Sequence, residues 1–453
     1  MEAAGCICQT IQSEIMHKYT KILYKFYFIP LFFISLETVA IPPAFAERIF
    51  FAGYNGGFYL KSEEEGGMEV RLGGAFQTDY RYYTEKQRAD NRFDIRRGRL
   101  VFRGRLTRYF LFGMEYEFQG NETKNLVDAY GEMTFYPMHG LRFGQFKEPF
   151  SLEWQCRDKS LYFAERSMGY YLTPKRDIGL MLHGTFFTDT FNYAIGLFNG
   201  DGVDGSSSGS VHDSPEVATR IVFSPFKNTT RRWLNYFQIG GSFTFSDIDL
   251  ANVDLQVRST GMAGTNRSLY LLGSNTKFGV LNDSRSRTRY AFESFWGNGP
   301  FALSGEYIHF SYTDLKPSGS SFKNADFSSW YVSMLFFLTG EEAVLSKSVL
   351  NPVYPNRFFN PSEKTWGAFC LGLRVEGFSG DPDWIVADAF TSVRHAKAIS
   401  MALNWILYPM HRFILDYTHT NFSDLLRSRV LPDGTVNYIK RENVFTARFS
   451  MDF

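Results

Sequence analysis

The sequence predicts an all-β fold, a 16-stranded antiparallel transmembrane β-barrel, from three observations. Phe, Tyr and Trp make up 18% of the 453 residues, and the chain has 39 glycines. Short segments alternate apolar and polar side chains, which is the two-residue period of a β-strand. The connections between these segments alternate between long and short, as do the outer loops and periplasmic turns of outer-membrane barrels.

The overall composition excludes several other classes of protein. The longest apolar run, residues 26–36, is too short for a spanning helix, which needs about 20 residues. The 48 Lys and Arg nearly balance the 47 Asp and Glu. A net charge this small creates no field that would attract nucleic acid. We therefore predict no nucleic-acid partner, and no motif calls for a metal or cofactor.

The N-terminal segment predicts a secretory signal peptide over residues 1–46. A basic stretch over residues 17–25 precedes the apolar run, and Ala44-Phe45-Ala46 supplies the small residues of a cleavage site. Either Met1 or Met16 could be the start. We expect residues 47–68 to be a short periplasmic N-terminal lead-in and residues 69–453 to form the barrel.

The last segment shows the strand alternation most clearly. Phe445, Phe449 and Phe453 share one face, while Arg448 and Asp452 lie on the other. Charged groups in the middle of strands favour a water-filled lumen over a dry sandwich core. The predicted strands are 69–83, 92–106, 111–119, 127–136, 141–147, 177–187, 191–198, 216–224, 235–247, 287–296, 301–312, 328–338, 364–378, 395–408, 411–421 and 442–453.

Two connections do not fit the alternation of lengths. Residues 224–235 and 339–363 are long where short periplasmic turns are expected, and the second contains three prolines. An even number of strands leaves both termini on the periplasmic side. We expect the C-terminal segment ending at Phe453 to engage the barrel-assembly machinery.

The stretch 92–200 resembles the phosphate-selective porin O/P family. The resemblance is carried by Phe93-Asp94-Ile95-Arg96-Arg97-Gly98-Arg99-Leu100, Asp128-Ala129-Tyr130, Leu141-Arg142-Phe143-Gly144-Gln145-Phe146-Lys147-Glu148-Pro149-Phe150, Phe163-Ala164-Glu165-Arg166 and Gly196-Leu197-Phe198-Asn199-Gly200. Weaker similarities to the family follow near Leu338, Trp366 and Asn404. The resemblance implies a homotrimeric outer-membrane channel in which the third outer loop, 147–176 here, folds inward and constricts the lumen.

A channel of this kind needs fixed charge at a narrow place and no catalytic group. Arginine suits phosphate because its planar fork donates two parallel hydrogen bonds. Arg96, Arg97, Lys159 and Arg166 match family positions on the wall and the inward loop. Strand alternation adds Arg99, Arg103 and Arg105 to the anion pathway, Lys147 and Arg157 lie in the loop without a counterpart, and Arg258 lies in the fifth outer loop.

The sequence departs from the family at two points, and the face on which Arg96 lies is a separate question. By alternation Arg96 shares a face with Leu100 and Phe102, so an inward position requires a bulge, a strand end or a neighbouring subunit. The fifth outer loop, 248–286, lacks the family's dense run of arginines. A serine pair of the family's constriction is replaced by Arg157 and Asp158. These departures favour a general anion preference over strict phosphate selectivity.

We therefore predict a porin of a Gram-negative outer membrane, surrounded by lipid, that passes small hydrophilic solutes, among them anions such as phosphate or polyphosphate. The alternative is a structural or surface-interaction barrel with a closed lumen. An enzyme that uses His212 and Asp213, or Asp416 and His419, is a third possibility, and we predict no enzymatic activity. Two further possibilities stay open, a calcium site at Asp201, Asp204 and Asp213 and a disulfide between Cys156 and Cys370.

Overall fold

A computed structural model describes residues 49–84, 89–119, 125–136, 138–200, 202, 215–227, 229–247, 255–272, 281–282, 286–317, 321, 323–385, 389–430 and 434–453. The predicted signal peptide and the three aspartates of the possible calcium site lie outside these residues.

Within the described residues, sixteen antiparallel strands form one closed barrel, as the alternation predicted. Each strand pairs with its neighbours in the sequence, and the last pairs with the first. The strands are β1 Glu69–Tyr83, β2 Arg92–Thr107, β3 Phe110–Glu117, β4 Leu126–Tyr136, β5 His139–Lys147, β6 Arg176–Phe186, β7 Phe191–Phe198, β8 Glu216–Phe223, β9 Gln238–Asp247, β10 Ser286–Asn298, β11 Phe301–Pro317, β12 Lys323–Phe337, β13 Ala368–Gly380, β14 His395–Tyr408, β15 His411–Val430 and β16 Val436–Asp452.

The barrel closes where the C-terminus meets Gly74. The backbone N–H of Gly74 donates to the carbonyl oxygen of Phe453 at 2.8 Å, and the N–H of Phe453 donates back to Gly74 at 3.0 Å. A Cβ at Gly74 would lie 2.5 Å from the Phe453 ring and 2.7 Å from the carbonyl oxygen of Arg99. The closure therefore requires glycine at this position.

Residues 49–68 form a β-hairpin that extends the sheet. Its strands, Phe50–Tyr54 and Phe58–Ser62, pair with each other. The second strand also pairs with residues 69–72 at the start of β1, below the point where β16 takes over as the neighbour of β1. The predicted lead-in thus forms a two-stranded hairpin whose second strand pairs with the start of β1.

The two faces of the wall carry opposite kinds of side chain. On β16, Phe445 faces outward and is 47% exposed, while its neighbours Val444 and Thr446 are buried on the inner side. On β2, Leu100 and Phe102 are exposed on the outside, while Arg97 points inward. An apolar exterior with a polar interior is the arrangement that a lipid-surrounded barrel requires.

The predicted strand bounds fail most at the outer ends of two hairpins. β15 and β16 were predicted as 411–421 and 442–453, but they extend to Val430 and begin at Val436. β11 and β12 also reach five residues further than predicted. A register shift interrupts each of these hairpins, between Tyr312 and Leu315 in the first and between Asn421 and Leu426 in the second. A β-bulge of this kind breaks the two-residue period, so the alternation that marks a strand is lost where the predicted strands end.

The two irregular connections are long in the structure as well. Residues 224–237 contain a helical turn, Arg232–Leu234. Residues 338–367 contain a small hairpin, Leu345–Ser346 and Val349–Leu350, and a helical turn, Pro361–Glu363. Lys347 and Ser348, at the tip of this hairpin, both adopt positive φ, which is typical of a tight two-residue turn. We call residues 338–367 the periplasmic connection.

The remaining helical segments lie in outer loops. They are Leu152–Gln155, Asp158–Ser160, Met168–Leu172, Thr260–Met262 and Pro382–Trp384. In the part of the chain that the structure describes, no helix is both long and apolar enough to cross a membrane.

Candidate functional site

The third outer loop, residues 148–175, which we call L3, lies against the inward-facing side chains of the wall. Asn404 of β14 donates to the carbonyl oxygen of Tyr162 at 2.8 Å. The backbone N–H of Ala164 donates to Asp416 of β15 at 3.1 Å, and that of Met168 donates to Glu376 of β13 at 2.6 Å. L3 also contacts β1, β2, β9, β11 and β16.

Apolar packing holds L3 between these strands. Phe150 and Met168 are completely buried, and Trp154 and Leu172 nearly so. They belong to one cluster with side chains of the fifth outer loop and of the wall. Burying side chains of this size contributes about 1.5–3 kcal/mol each, so L3 is a packed part of the barrel interior.

Glu165 of L3 binds three arginines that come from three different strands. Arg81 Nη2 lies 2.5 Å from Glu165 Oε1, Arg96 Nε lies 2.8 Å away and Arg448 Nη2 lies 2.8 Å away. Burial alone would raise the pKa of the Glu165 carboxyl, but the three guanidinium groups hold that pKa well below its usual range. Glu165 is therefore an anion that joins L3 to β1, β2 and β16.

Arg96 reaches Glu165 through a β-bulge. In the pairing of β1 with β2, Gln77 lies opposite Arg97 and Thr78 lies opposite Ile95, so Arg96 has no partner. A bulge of this kind lets two consecutive side chains point to the same face. The bulge is one of the three solutions that the alternation of β2 left open for Arg96.

Asp158 of L3 binds a second group of three arginines. Arg97 Nε lies 2.9 Å from Asp158 Oδ2, Arg99 Nη1 lies 3.1 Å from the same oxygen, and Arg166 Nη1 lies 2.8 Å from Oδ1. Burial would raise the pKa of the Asp158 carboxyl, but these cations lower it. The charges of Arg97, Arg99 and Arg166 are therefore partly neutralised.

The rest of the basic stripe on β2 is also paired with carboxylates. Arg99 contacts Glu115 at 2.8 Å and Glu117 at 2.6 Å. Arg103 contacts Glu115 at 3.3 Å, and Arg105 contacts Glu69 at 3.5 Å. Of the predicted anion pathway, six members therefore lie in ion pairs: Arg96, Arg97, Arg99, Arg103, Arg105 and Arg166.

Lys147 and Arg258 hold loop backbone and loop side chains in place. Lys147 Nζ donates to the carbonyl oxygens of Trp154 at 2.6 Å and Cys156 at 3.1 Å. Arg258, in the fifth outer loop, donates to Gln256 at 2.9 Å and lies 6.0 Å from the ring of Tyr171 in L3. The amine of Lys147 is thus engaged with the end of the short helix of L3.

Arg157 and Lys159 differ from the other predicted residues. Within the described residues, the side chain of neither makes a hydrogen bond or an ion pair. Arg157 is exposed in the lumen. Lys159 is half-buried: burial lowers the pKa of its amine, the nearby Asp452 raises it, and Arg157 and Arg103 lower it further.

Arg157 lines a cavity of about 560 Å³ inside the barrel, which we call the chamber. Its walls are the inner faces of β4 to β8, residues 149–160 of L3 and residues 346–352 of the periplasmic connection. Glu132 is the one carboxylate among its described lining residues, against four lysines and arginines: Arg142, Arg157, Arg220 and Lys347.

The carboxylate in the chamber already has partners. Arg142 Nη2 lies 2.6 Å from Glu132 Oε2, and His183 Nε2 lies 3.4 Å from Oε1. Arg220 is paired at 2.5 Å with Glu293, which is not a lining residue of the chamber. Arg157 and Lys347 remain as cations without a carboxylate partner among the described residues.

The periplasmic connection reaches the chamber because it folds into the barrel. Arg220 Nη1 donates to Ser348 Oγ at 3.1 Å, and its Nη2 donates to the carbonyl oxygen of Ser348 at 3.0 Å. Leu350 packs against the cluster that contains Cys156 of L3. The sequence singled out this connection for its length but did not predict Lys347, His183, Arg142 or Arg220 as lining residues.

The two cysteines lie in the same buried cluster but are not bonded to each other. Cys156 belongs to L3 and Cys370 to β13. Burial raises the pKa of the Cys156 thiol to about 11. In the described part of the chain, no group of three or more His, Cys, Asp or Glu side chains is arranged to hold a metal ion.

Comparisons with known proteins agree with this architecture. Residues 70–453 match the family described as phosphate-selective porin O and P. No curated protein matches the chain by sequence. Among solved structures, the anion-selective porin from Comamonas acidovorans has a TM-score of 0.51 at 12% identity, covering 85% of this chain and all of that porin.

Two further structures have a similar extent of overlap. The outer-membrane channel DcaP of Acinetobacter baumannii has a TM-score of 0.49 at 11% identity, covering 86% of this chain and 99% of that one. OmpF of Salmonella typhi also has a TM-score of 0.49, at 10% identity, covering 89% and 100%. Because the family match spans every strand of the closed wall, the chain belongs to the phosphate-selective porin O and P family and is a channel for small solutes in the outer membrane of a Gram-negative bacterium.

Proposed function

We propose that this channel favours small anions, phosphate among them, and that Arg157 and Lys347 carry the preference, assisted by Lys159. The observation that supports the proposal is the charge of the chamber lining. Glu132 is bound by Arg142 and His183, whereas Arg157 and Lys347 have no carboxylate partner among the described residues. An anion entering the chamber would meet an excess of positive charge.

The position of these cations suits weak and reversible binding. Arg157 comes from L3 and Lys347 from the periplasmic connection, so two separate segments of the chain supply charge to the chamber. A channel must bind a passing ion strongly enough to admit it and weakly enough to release it. In water, one charge about 4 Å away attracts an anion by about 1 kcal/mol, which is compatible with rapid passage.

L3 would form the narrow part of the path. Its packing against strands on several sides supports this role, and the fifth outer loop adds to it. Thr260 of that loop donates to Glu376 Oε1 at 2.6 Å, and Glu376 also accepts from the backbone of Met168 in L3. The ion pairs at Asp158 and Glu165 would then hold the constriction in shape.

The test is the reversal potential of the purified protein in a planar bilayer under a KCl gradient, followed by titration with phosphate. We expect an anion-favouring potential and reduction of chloride current by phosphate. The variant Arg157→Gln/Lys347→Gln should lose about fivefold in the ratio of chloride to potassium permeability for each charge removed. Lys364→Gln, an exposed periplasmic change outside the chamber, is the control.

An unchanged reversal potential in the double variant, with normal conductance, would show that these two cations do not set the preference. If the wild-type channel favours cations, the porin fold would stand but the anion proposal would be overturned. A folded barrel without conductance would instead support the structural reading of the chain.

We also propose that the chain is exported by residues 1–46 as a signal peptide, inserted by the barrel-assembly machinery through the segment ending at Phe453, and assembled as a homotrimer. The resemblance to the family supports all three steps, and Phe453 lies at the closure of the barrel. Sequencing of the mature N-terminus should find Glu47. Native mass spectrometry should find three subunits, and a single subunit would overturn the trimer.

A further inference from the structure

A large apolar groove lies on the outside of the barrel. It has a volume of about 830 Å³ and crosses the neighbouring strands β11 to β16 and β1. Outward-facing side chains line it, among them the exposed Tyr82, Met401, Leu415 and Phe445 and the half-buried Tyr417. The outside of a cylinder is convex, so a concavity of this size is a particular feature of this stretch of the wall.

The strand register places a basic row above the groove. Lys397 of β14 lies opposite Asn421 of β15, which lies opposite Arg441 of β16. Four residues below this row, Met401, Tyr417 and Phe445 form the upper edge of the groove in the same register. Because four residues are an even number, both rows face the same side of the sheet.

The height of the basic row matches the outer boundary of the apolar band. Asn421 lies ten residues above His411, where β15 begins. Ten residues rising about 3.3 Å each, on a strand tilted by about 40°, span about 25 Å, which is the height of the band in such barrels. Lys397 and Arg441 therefore lie at the level of lipid headgroups.

These cations are not neutralised by the protein. Within the described residues Lys397 and Arg441 are exposed and make no ion pair. Lys440, beside Arg441, is also exposed. The nearby acid Asp424 is held by Arg394, with 2.9 Å between Oδ1 and Nη2. The rim above the groove thus has positive charge available for an external anion.

Polar side chains fill the level between the basic row and the groove. His419 of β15 lies opposite Asn443 of β16, and His419 Nδ1 is 2.6 Å from Asn443 Oδ1. The hydroxyl of Tyr417 donates to the same oxygen at 2.9 Å. From the rim inward, the surface is therefore basic, then polar, then apolar.

We propose that this surface binds one anionic lipid of the outer leaflet, with a headgroup phosphate at Lys397 and Arg441 and an acyl chain in the groove. The order of chemistry along the surface is that of a phosphorylated lipid: phosphate, then the polar region of sugar and ester groups, then hydrocarbon. Clusters of Lys and Arg at a membrane surface attract such headgroups. A second copy of this chain is the competing occupant, but an apolar subunit face would leave the basic row without a partner.

The experiment is a titration of the detergent-solubilised full chain with bisphosphorylated, hexa-acylated lipid A, read by native mass spectrometry. We expect Lys397→Gln/Arg441→Gln to weaken lipid A binding about tenfold or more. The control Arg231→Gln/Lys364→Gln removes the same two charges from exposed positions in the two long periplasmic connections and should bind like wild type. Lipid A without phosphates should bind wild type about as weakly as the double variant binds intact lipid A.

A second variant tests the groove separately from the charge. Ala447→Trp fills the floor of the groove and should weaken lipid A binding while retaining the basic row. Heat-modifiable migration in gels and unchanged conductance would show that each variant folds. Equal affinity for lipid A with and without phosphates would overturn the proposal. So would an Ala447→Trp variant that binds lipid A normally but separates into single subunits, because the groove would then be a subunit interface.

Discussion

Two groups of arginines inside the barrel differ in what surrounds them. Arg97, Arg99 and Arg166 converge on Asp158, whereas Arg157, the residue immediately before Asp158, faces the chamber without a carboxylate partner. All four arginines belong to L3 or to the neighbouring strand β2. We therefore expect a luminal arginine to contribute to anion selectivity only as far as its charge is not already neutralised.

The largest expected effect comes from breaking the other paired group, in which Arg81, Arg96 and Arg448 bind Glu165. Glu165→Gln would leave Arg81, Arg96 and Arg448 buried with one carboxylate fewer. Removing one partner of a buried ion pair costs about 3–5 kcal/mol, so the variant should unfold at a clearly lower urea concentration in detergent. Glu64→Gln, an exposed change in the N-terminal hairpin, should stay within about 0.5 kcal/mol of wild type. Equal stability of the two variants would refute a structural role for the Glu165 cluster.

A second change converts the paired group into an unpaired one. Asp158→Asn keeps the side-chain shape but removes the carboxylate partner of Arg97 and Arg166, while Arg99 keeps Glu115 and Glu117. One additional positive charge about 4 Å from a passing anion is worth about 1 kcal/mol in water. The ratio of chloride to potassium permeability should therefore rise about fivefold in bilayer recordings. A fall in the ratio would mean that Asp158 acts on ions in some other way.

The third prediction concerns pH and Lys159. Burial lowers the pKa of its amine below the usual value of about 10.4. Deprotonation removes a positive charge, so anion preference should be complete below the lowered pKa and should decline as the pH rises through it. Lys159→Arg should abolish this part of the decline, because arginine remains protonated. Identical pH profiles for wild type and Lys159→Arg would show that the charge of Lys159 does not influence the anion preference.

The smallest effect compares two adjacent residues of L3. The Cys156 thiol is buried, and its pKa is raised to about 11, so very little thiolate is present at pH 8. A maleimide reagent should label Cys156 slowly in the folded channel and readily after unfolding. Arg157→Cys in a Cys156→Ser background should be labelled rapidly from the lumen. Rapid labelling of Cys156 itself would show that the packed side of L3 opens.

The wall of the barrel was predictable because its pattern is local. Each strand separates lipid from the lumen, so side chains two residues apart share an environment, as Phe445 and Ala447 do on the outside of β16. The outer ends of β15 and β16 were missed because a register shift between Asn421 and Leu426 breaks the alternation there. For Arg96, the pattern on β2 left a bulge, a strand end and a neighbouring subunit open, and the structure shows a bulge.

The candidate site was predictable only in part. The resemblance and the strand alternation identified L3 and the arginines of β2, but not which of them are neutralised. The periplasmic connection was recognisable by its length and its prolines. Its insertion beside L3, which brings Lys347 to the chamber, has no local signal because it depends on Arg220 and on packing with distant residues.

The sequence by itself determined the closed wall of strands, its apolar exterior and the loops that carry charge. The reason is that successive side chains of a strand face lipid and lumen in turn, so neighbouring residues carry the pattern. Only the tertiary structure decided which charges are available to a passing ion. The ion pair between Arg448 and Glu165 joins positions 283 residues apart. Such partners meet only when the barrel closes around L3, so their pairing is a property of the folded molecule.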